Sequence, residues 1–438
     1  MSPGEPVLKV DEEALMRRIM WRICPLLMGI LLLAVIDRSN VGYAKLQMVS
    51  RLGLTETAYG LASSLFFIGY SLFEVPSALA AHRFGARLWF ARILLTWGLL
   101  TILLAFTVTG SLFAAVRFLV GVAEAGAYPG IIYYLTLWFP TRYRVQAVAL
   151  LTIGSPLGNM FGALFGGVLL DLDGLGGLAG WQWVFLVTGL PALLLTLVIL
   201  KYLPDGPRQA TFLSSGEQAW LQRELDRDGA ANPAHGTLLQ VLFDRRVLGF
   251  SFVYTLITLA LYGNIYWLPT VVKDFGVTGT QNGLLTALPW ALAGLALIWL
   301  PRYLREQQSV LRAMTIIALC SMTAFFFATL LPQNWMRYVG LAIGTPCISL
   351  TFPCFWYLPS QIFKGAHSAA AIAVISTIGS LGGFAAQNVM PWVAQTSGSA
   401  LAAMTVPAAS MALLAISAML MLVWRRGVPS EPPRPELV

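Results

Sequence analysis

The run RICPLLMGILLLAVIDRSNVGYA, residues 22–44, decides the fold. It is long enough to cross a hydrocarbon core about 30 Å thick, which takes about 20 apolar residues in a helix. It also carries an adjacent acid and base, Asp37 and Arg38, well inside the apolar stretch. Working outward, eleven more such runs follow, at about 57–81, 87–108, 111–138, 145–170, 182–203, 247–272, 279–300, 311–331, 335–362, 368–395 and 400–424. The 438 residues are 57% hydrophobic and 11% charged, too few polar groups to coat a soluble chain of this length. The expected fold is an all-α integral membrane protein of twelve spans, arranged as two six-helix bundles.

The gaps between runs assign the orientation. Alternate gaps hold Arg17, Arg18 and Arg22; Arg83 and Arg87; Arg142 and Arg144; a long central segment; Arg302, Arg305 and Arg312; Lys364; and Arg425 with Arg426. The intervening gaps are poorer in bases, with Lys45, Arg51, Lys273 and Arg337 as exceptions. By the positive-inside rule both termini face the cytoplasm, in a bacterial inner membrane. The net charge of +8 is therefore spread through loops, not gathered on a stacking surface, which argues against nucleic acid as a partner. No signal-peptide cleavage pattern follows the basic residues near the N-terminus, so the first span is expected to stay. A monomer is the expected unit.

Residues 204–243 form the one long hydrophilic insertion. They divide the chain into an N-terminal bundle (1–203), a linker and a C-terminal bundle with its tail (244–438). Ser215 and Gln218 are spaced as a capping box, predicting a short amphipathic helix over about 216–228. The halves echo one another. Tyr128-Pro129 precedes Phe139 in span 4 as Phe352-Pro353 precedes Phe363 in span 10. Parallel six-span repeats place a solute site at the midplane between them.

Ionisable groups inside hydrocarbon are costly and usually functional. Asp37 stands roughly 22 Å along span 1 from the cytoplasm, and Arg117 roughly 9 Å down span 4 from outside, at 1.5 Å per residue. Their depths coincide. Glu124 lies two turns beyond Arg117 on the same face. The planar guanidinium of Arg117, with Arg38, suits a substrate carboxylate. Asp37 and Glu124 are the candidate proton carriers. Glu74, beside Pro76, and Arg92, near the same surface, read as structural charges.

Neutral candidates face these charges from the second half: Tyr262, Asn264, Tyr266 and Trp267 in span 7, Trp356 in span 10, and Ser376 and Ser380 in span 11, with Gln387 and Asn388 further out. Gly154, Gly158, Gly162 and Gly166 form a period-four ridge that lets helices approach closely, which suits either rocking or simple tight packing. Cys24, Cys320, Cys347 and Cys354 lie in apolar runs and read as small buried hydrophobes. His82, His235 and His367 fall in expected loops, so neither a metal nor a histidine relay is expected in the membrane, and no cofactor is implied.

Several runs match a known pattern together. They are Asp37-Arg38-Ser39-Asn40-Val41-Gly42, Tyr70-Ser71-Leu72-Phe73-Glu74-Val75-Pro76-Ser77, and Arg117 through Gly126 with the later Trp138-Phe139-Pro140. Trp181-Gln182-Trp183-Val184-Phe185 and Trp267-Leu268-Pro269 extend the match over nearly the whole chain. The chain resembles the anion:cation symporter family of the major facilitator superfamily, which includes bacterial carriers of tartrate, sugar acids and aromatic acids. That resemblance implies proton-coupled uptake of an organic anion by alternating access. It puts Asp37, Arg38, Arg117 and Glu124 in substrate binding and proton coupling, and adds Tyr70 and Trp356 as substrate contacts. The sequence departs from the family in three places. His82 stands before Arg83-Phe84-Gly85 where an acid is usual, Pro301 stands at the corresponding position after span 8, and span 11 carries Ser376 and Ser380 where asparagines are common.

Four readings remain. They are a carboxylate importer, an exporter of a carboxylate metabolite or drug, a membrane enzyme and a receptor. An enzyme would need a catalytic cluster within the spans, which hold no histidine on this reading. A receptor has no use for opposed acids and arginines on spans 1 and 4. A transporter of a small carboxylate, exchanging protons, is the reading the residues favour, and an enzyme is not.

Overall fold

A computed structural model describes residues 11–230, 243–300, 307–363 and 365–426. Among them are twelve helices long and apolar enough to cross a membrane. Spans 1 to 6 are Glu12–Arg51, Glu56–Phe84, Ala86–Leu104, Gly110–Trp138, Thr141–Leu170 and Gly180–Tyr202. Spans 7 to 12 are Arg245–Lys273, Gly279–Trp299, Gln308–Leu330, Asn334–Ile362, Ala370–Ser397 and Leu401–Val423. An even number of crossings puts residues 11 and 426, the two ends of the described chain, on one side. The protein is a multi-pass membrane protein, and large apolar side chains such as Leu72, Leu79 and Leu420 are exposed where lipid would meet them.

Pairing of spans repeats with a period of six. Span 1 packs on 5 and 6, 2 on 4, and 3 on 6; likewise span 7 packs on 11 and 12, 8 on 10, and 9 on 12. The halves meet where span 2 lies along 11, span 5 along 8, and span 1 along 7. The central site sits inside these three contacts.

Local chemistry explains most departures from the expected boundaries. Span 1 begins ten residues early because Asp11 caps it, its side chain accepting from the Ala14 amide at 3.1 Å. It ends at Arg51, which brings Lys45 inside the helix, where it is buried instead of lying in a gap. Span 4 is two helices, Gly110–Glu124 and Ala127–Trp138, broken directly after Glu124. Gly126 makes the break with φ of +83°, a region L side chains avoid, and a Cβ there would sit 2.3 Å from the Ser77 hydroxyl. His82 falls in the last turn of span 2 and stacks on Tyr133, and His367 lies in the helix beginning at Gly365, so neither is in a loop. His235, Pro301, Arg302, Arg305 and Lys364 lie outside the described residues.

The linker helix forms over Ser215–Ala230, but its cap is one residue earlier than the spacing suggested. The Ser214 hydroxyl accepts from the Glu217 amide at 3.3 Å, and Glu217 accepts from the Ser214 amide at 2.9 Å. Burial pushes the Glu217 carboxyl up, but its bonds to Ser214 and Arg18 outweigh this and hold it below the ordinary range. Gln218 instead donates to the Ala210 carbonyl at 3.1 Å. This helix rests on the basic face of the first half through Arg142, which pairs with Glu12 and Glu224, and through Asp228, which accepts from the Thr141 amide at 2.6 Å.

The face opposite the basic loops is closed between halves. Asp171, just past span 5, accepts from the Gly279 amide (3.0 Å) and from the Thr280 amide and hydroxyl (both 2.7 Å), capping span 8. Burial raises the Asp171 carboxyl, but those bonds outweigh it and hold it below the ordinary carboxylate range. Behind this latch a Cβ on Gly167 would lie 2.4 Å from the Gly279 carbonyl and 2.7 Å from the Gly283 Cα. The backbones of the two halves thus approach closely at Gly167 and Gly283, as they do at Gly60 and Gln387. The period-four ridge faces elsewhere: Gly154, Gly158, Gly162 and Gly166 pack on Met28, Val35, Ser39 and Tyr43 of span 1 in the same half. Tight packing, not rocking, accounts for that ridge. The cysteines are free, and Cys320 is exposed on the bundle exterior instead of buried.

Gly121 lets span 4 lie on span 2, since a Cβ there would stand 2.1 Å from the Phe66 carbonyl oxygen. Gly121→Val is expected to cost about 1–3 kcal/mol by overpacking and to lower the detergent-solubilised midpoint of thermal unfolding. Gly249→Ala, where nothing lies within 4 Å, is expected to leave the midpoint unchanged or raised.

Candidate functional site

Spans 1, 2, 3, 4 and 7 bring eight side chains together at mid-depth. On span 1, Asp37 and Arg38 point to different partners because adjacent helical residues diverge by about 100°. Arg38 reaches the buried Glu124 on span 4, its Nε and Nη2 donating to one oxygen, Oε1, at 2.9 and 2.5 Å. Its Nη1 donates to the Tyr262 hydroxyl on span 7 at 2.8 Å, so one guanidinium ties both halves together. Asp37 faces the other way, toward Arg117, with Oδ2 and Nη1 3.8 Å apart. Its Oδ1 accepts from Thr101 on span 3 at 2.7 Å. The Phe66 ring lies 4.8 Å from the Arg117 guanidinium carbon and 5.4 Å from that of Arg38, with Tyr70 5.1 Å from the latter.

The charges balance, two against two, but the hydrogen bonds do not. Arg117 is 0% exposed, and none of its three side-chain nitrogens has a hydrogen-bond acceptor among the described residues. Asp37 Oδ2 and Glu124 Oε2 likewise lack donors. A buried charged donor left unsatisfied is expensive, and a pair kept only to fix helix packing closes its bonds. Arg38 is the one member open to solvent, its side chain 19% exposed. The cluster therefore has one water-reachable cation, one dry cation with free donors, and two carboxylates with free oxygens. That combination can receive an anion and rearrange protons.

The remaining candidates separate. Tyr70 and Tyr262 belong to the cluster as ring platform and acceptor. Trp356 stands beside it, edge-on to Tyr254 at 4.9 Å, with Tyr254 two turns from Tyr262 on one face of span 7. Ser380 shares a 2.8 Å hydrogen bond with Ser71 across the halves, and Ser376 lies one turn away, half-buried. Asn264 is not brought to the charges; it donates to Thr345 on span 10 at 3.1 Å and is fully buried there.

Three contributors escaped the sequence reading. Thr101 has no signature beyond being polar in an apolar run, and Phe66 none beyond being aromatic. Glu74, read as a structural charge, accepts from Thr377 of span 11 at 2.8 Å, so its contact runs between halves. Its place on the face of Tyr70, one turn away, was the available signal. Arg92 does serve packing, lying 3.9 Å over the Trp89 ring.

Twelve spans in two repeated halves, with charged groups buried at mid-depth, are an architecture of membrane transporters. The Major Facilitator Superfamily profile matches residues 27–387, and the chain belongs to that family. It is 37% identical over 423 residues to a protein of Agrobacterium vitis named "Putative tartrate transporter", covering 96% of each chain. It is 39% identical over 379 residues to the "Quinolone resistance transporter" of Acinetobacter baumannii, covering 85% of this chain and 87% of that one. In fold it is similar to the xylose transporter XylE of E. coli in an inward-open conformation, at a TM-score of 0.70 and 14% identity over 95% of this chain and 98% of the other. A bacterial homolog of the human lysosomal transporter Spinster matches at 0.69 and 17%, over 95% and 98%. The family is one of transporters, not enzymes.

Each arginine neutralises a buried carboxylate. Arg38→Ala leaves Glu124 buried without its cation and is expected to cost about 3–5 kcal/mol. Arg117→Ala breaks no hydrogen bond but leaves the buried Asp37 without its cation, and is expected to lower the thermal midpoint by a similar amount, measured side by side.

Proposed function

We propose that this protein is a proton-coupled importer of a small organic anion, a sugar acid, dicarboxylate or aromatic acid, in a bacterial inner membrane with both termini cytoplasmic. The observation that carries the reading is the Arg117 guanidinium, fully buried, 3.8 Å from Asp37 and without a hydrogen-bond acceptor. A carboxylate supplies the missing acceptors in the planar, two-oxygen form that guanidinium prefers. Arg38, Tyr70 and Tyr262 then hold the rest of the solute, with Trp356, Ser376 and Ser380 lining the opposite half. The placement of Asn264 supports a packing role between spans 7 and 10.

Proton coupling follows from competition for a cation. Arg38 has one fork of donors, spent on Glu124 Oε1 and Tyr262. A substrate carboxylate that engages Arg38 draws it from Glu124. Glu124, left buried without a cation, takes up a proton. Asp37 keeps Thr101 and is the second carrier, released when the substrate engages Arg117. Neutralised in this way, the loaded site crosses from one face to the other at lower electrostatic cost than the bare anion. The arginine-rich loops support a reading in which the closed face is the outer one.

The tartrate-named relative supports a carboxylate as the solute, and export of a carboxylate metabolite or drug is the second reading. Direction and coupling are decided together in proteoliposomes charged with an inward proton gradient and radiolabelled L-tartrate. Accumulation that collapses with a protonophore is expected; accumulation only under the reversed gradient would establish export instead. Glu124→Gln is expected to lose gradient-driven accumulation by about tenfold or more while retaining tartrate counterflow. Arg117→Ala is expected to lose both, and counterflow surviving in Arg117→Ala would remove that residue from the site.

A further inference from the structure

We infer that a second anion subsite lies above the central one, built around Lys45, and that it receives the carboxylate of the incoming solute when the outer face is open; this rests on the proposed import of a carboxylate. Lys45 is seven residues beyond Arg38 in the same helix, two turns further toward the outer face and on the same side. It is a buried ammonium, 5% exposed, which a chain tolerates inside a membrane only for a purpose. Beside it is a small cavity of about 10 Å³ lined by Lys45, Glu56, Tyr59, Ser63, Tyr266 and Gln387 among others. Two buried donors on this lining have no acceptor among the described residues: the Tyr266 hydroxyl and the Gln387 Nε2. Ser63 engages the Gln387 Oε1, which turns the amide nitrogen away from it. Tyr266 stacks on Tyr262, the phenol that holds Arg38, at 6.1 Å between ring centres. Three donors thus converge on one small space along the path to the arginines.

The cavity has room for about one water in the closed state. What closes it is the evidence for what opens it. Lys45 Nζ lies 3.4 Å from the centre of the Trp267 ring and donates to Thr270 at 3.2 Å, both on span 7 of the other half. Lys273 of the same helix donates back to the Leu46 carbonyl at 2.8 Å. When span 7 leaves span 1, Lys45 keeps only Glu56, an acid 40% exposed at the rim and 2.7 Å away. Glu56 and Asp274 face Lys45 and Lys273 there, so the charges balance at rest and an arriving carboxylate exchanges with Glu56. As the outer face closes, Trp267 and Thr270 take over the ammonium, and the anion is passed inward to Arg38.

Two measurements test this. In right-side-out vesicles, Lys45→Gln is expected to raise the KM for L-tartrate uptake about tenfold. It should leave the KM for efflux within about twofold, with Lys45→Arg restoring most of the loss. If Lys45 only braces the closed gate, its loss would favour the outward-open state, and the uptake KM would fall or stay unchanged. The second measurement does not depend on what is transported. Ser63→Cys, in a protein with its four native cysteines replaced, is labelled from outside with anionic and with neutral methanethiosulfonate reagents. The ratio of anionic to neutral rates is expected to drop about tenfold on adding Lys45→Gln. An unchanged ratio, or no labelling by either reagent, would overturn the subsite even if tartrate transport holds.

Discussion

A guanidinium buried in the middle of a membrane must find negative charge, and the arrangement of this protein follows from how incompletely it does so. Arg38 is satisfied by Glu124 and Tyr262; Arg117 is neutralised by Asp37 at a distance but not hydrogen-bonded. Neutrality keeps the bundle stable, while the unfilled donors leave it responsive. The break in span 4 directly after Glu124 and the close approach at Gly121 hold the carboxylate where Arg38 reaches it. The same arginine, through Tyr262, couples the state of Glu124 to the position of the other half.

Closure of the face opposite the basic loops rests on a different chemistry. Asp171 caps the first turn of span 8, Lys45 lies on Trp267, and the backbones meet at Gly167 and Gly283. These are polar and short-range contacts at one end of the interface. Longer contacts between spans 2 and 11, through Ser71 with Ser380 and Glu74 with Thr377, run past the central site. Small separations at this end can therefore change the surroundings of the arginines without unpacking either bundle, whose internal pairings are those of a tight helical core.

Much of this was legible in the sequence. Hydrophobic length gave the twelve spans, because lipid leaves a helix no other choice. Depth counting alone brought Asp37 to Arg117, since two helices of known rise cross one slab. What the count could not supply was azimuth. Nothing in Asn264 says that it turns to Thr345 instead of Arg38, or that the glycine ridge of span 5 faces span 1 instead of span 8. Lys45 was misplaced because a lysine near a span end looks like a loop residue until Asp11 and Arg51 are seen to extend the helix at both ends. The position of Glu74 one turn from Tyr70 sets its face, but nothing local names Thr377 of the other half as its partner.

The central claim is that an anion and a proton change places on Arg38 and Glu124. It is tested most directly by calorimetric titration of the purified protein with L-tartrate near neutral pH, in buffers of different ionisation enthalpy. The slope of binding enthalpy against buffer enthalpy counts protons moved. Uptake of between about one and two protons per bound acid, about one fewer in Glu124→Gln with binding retained, is the expected result. Binding of the acid with no proton taken up by the unaltered protein would contradict the account.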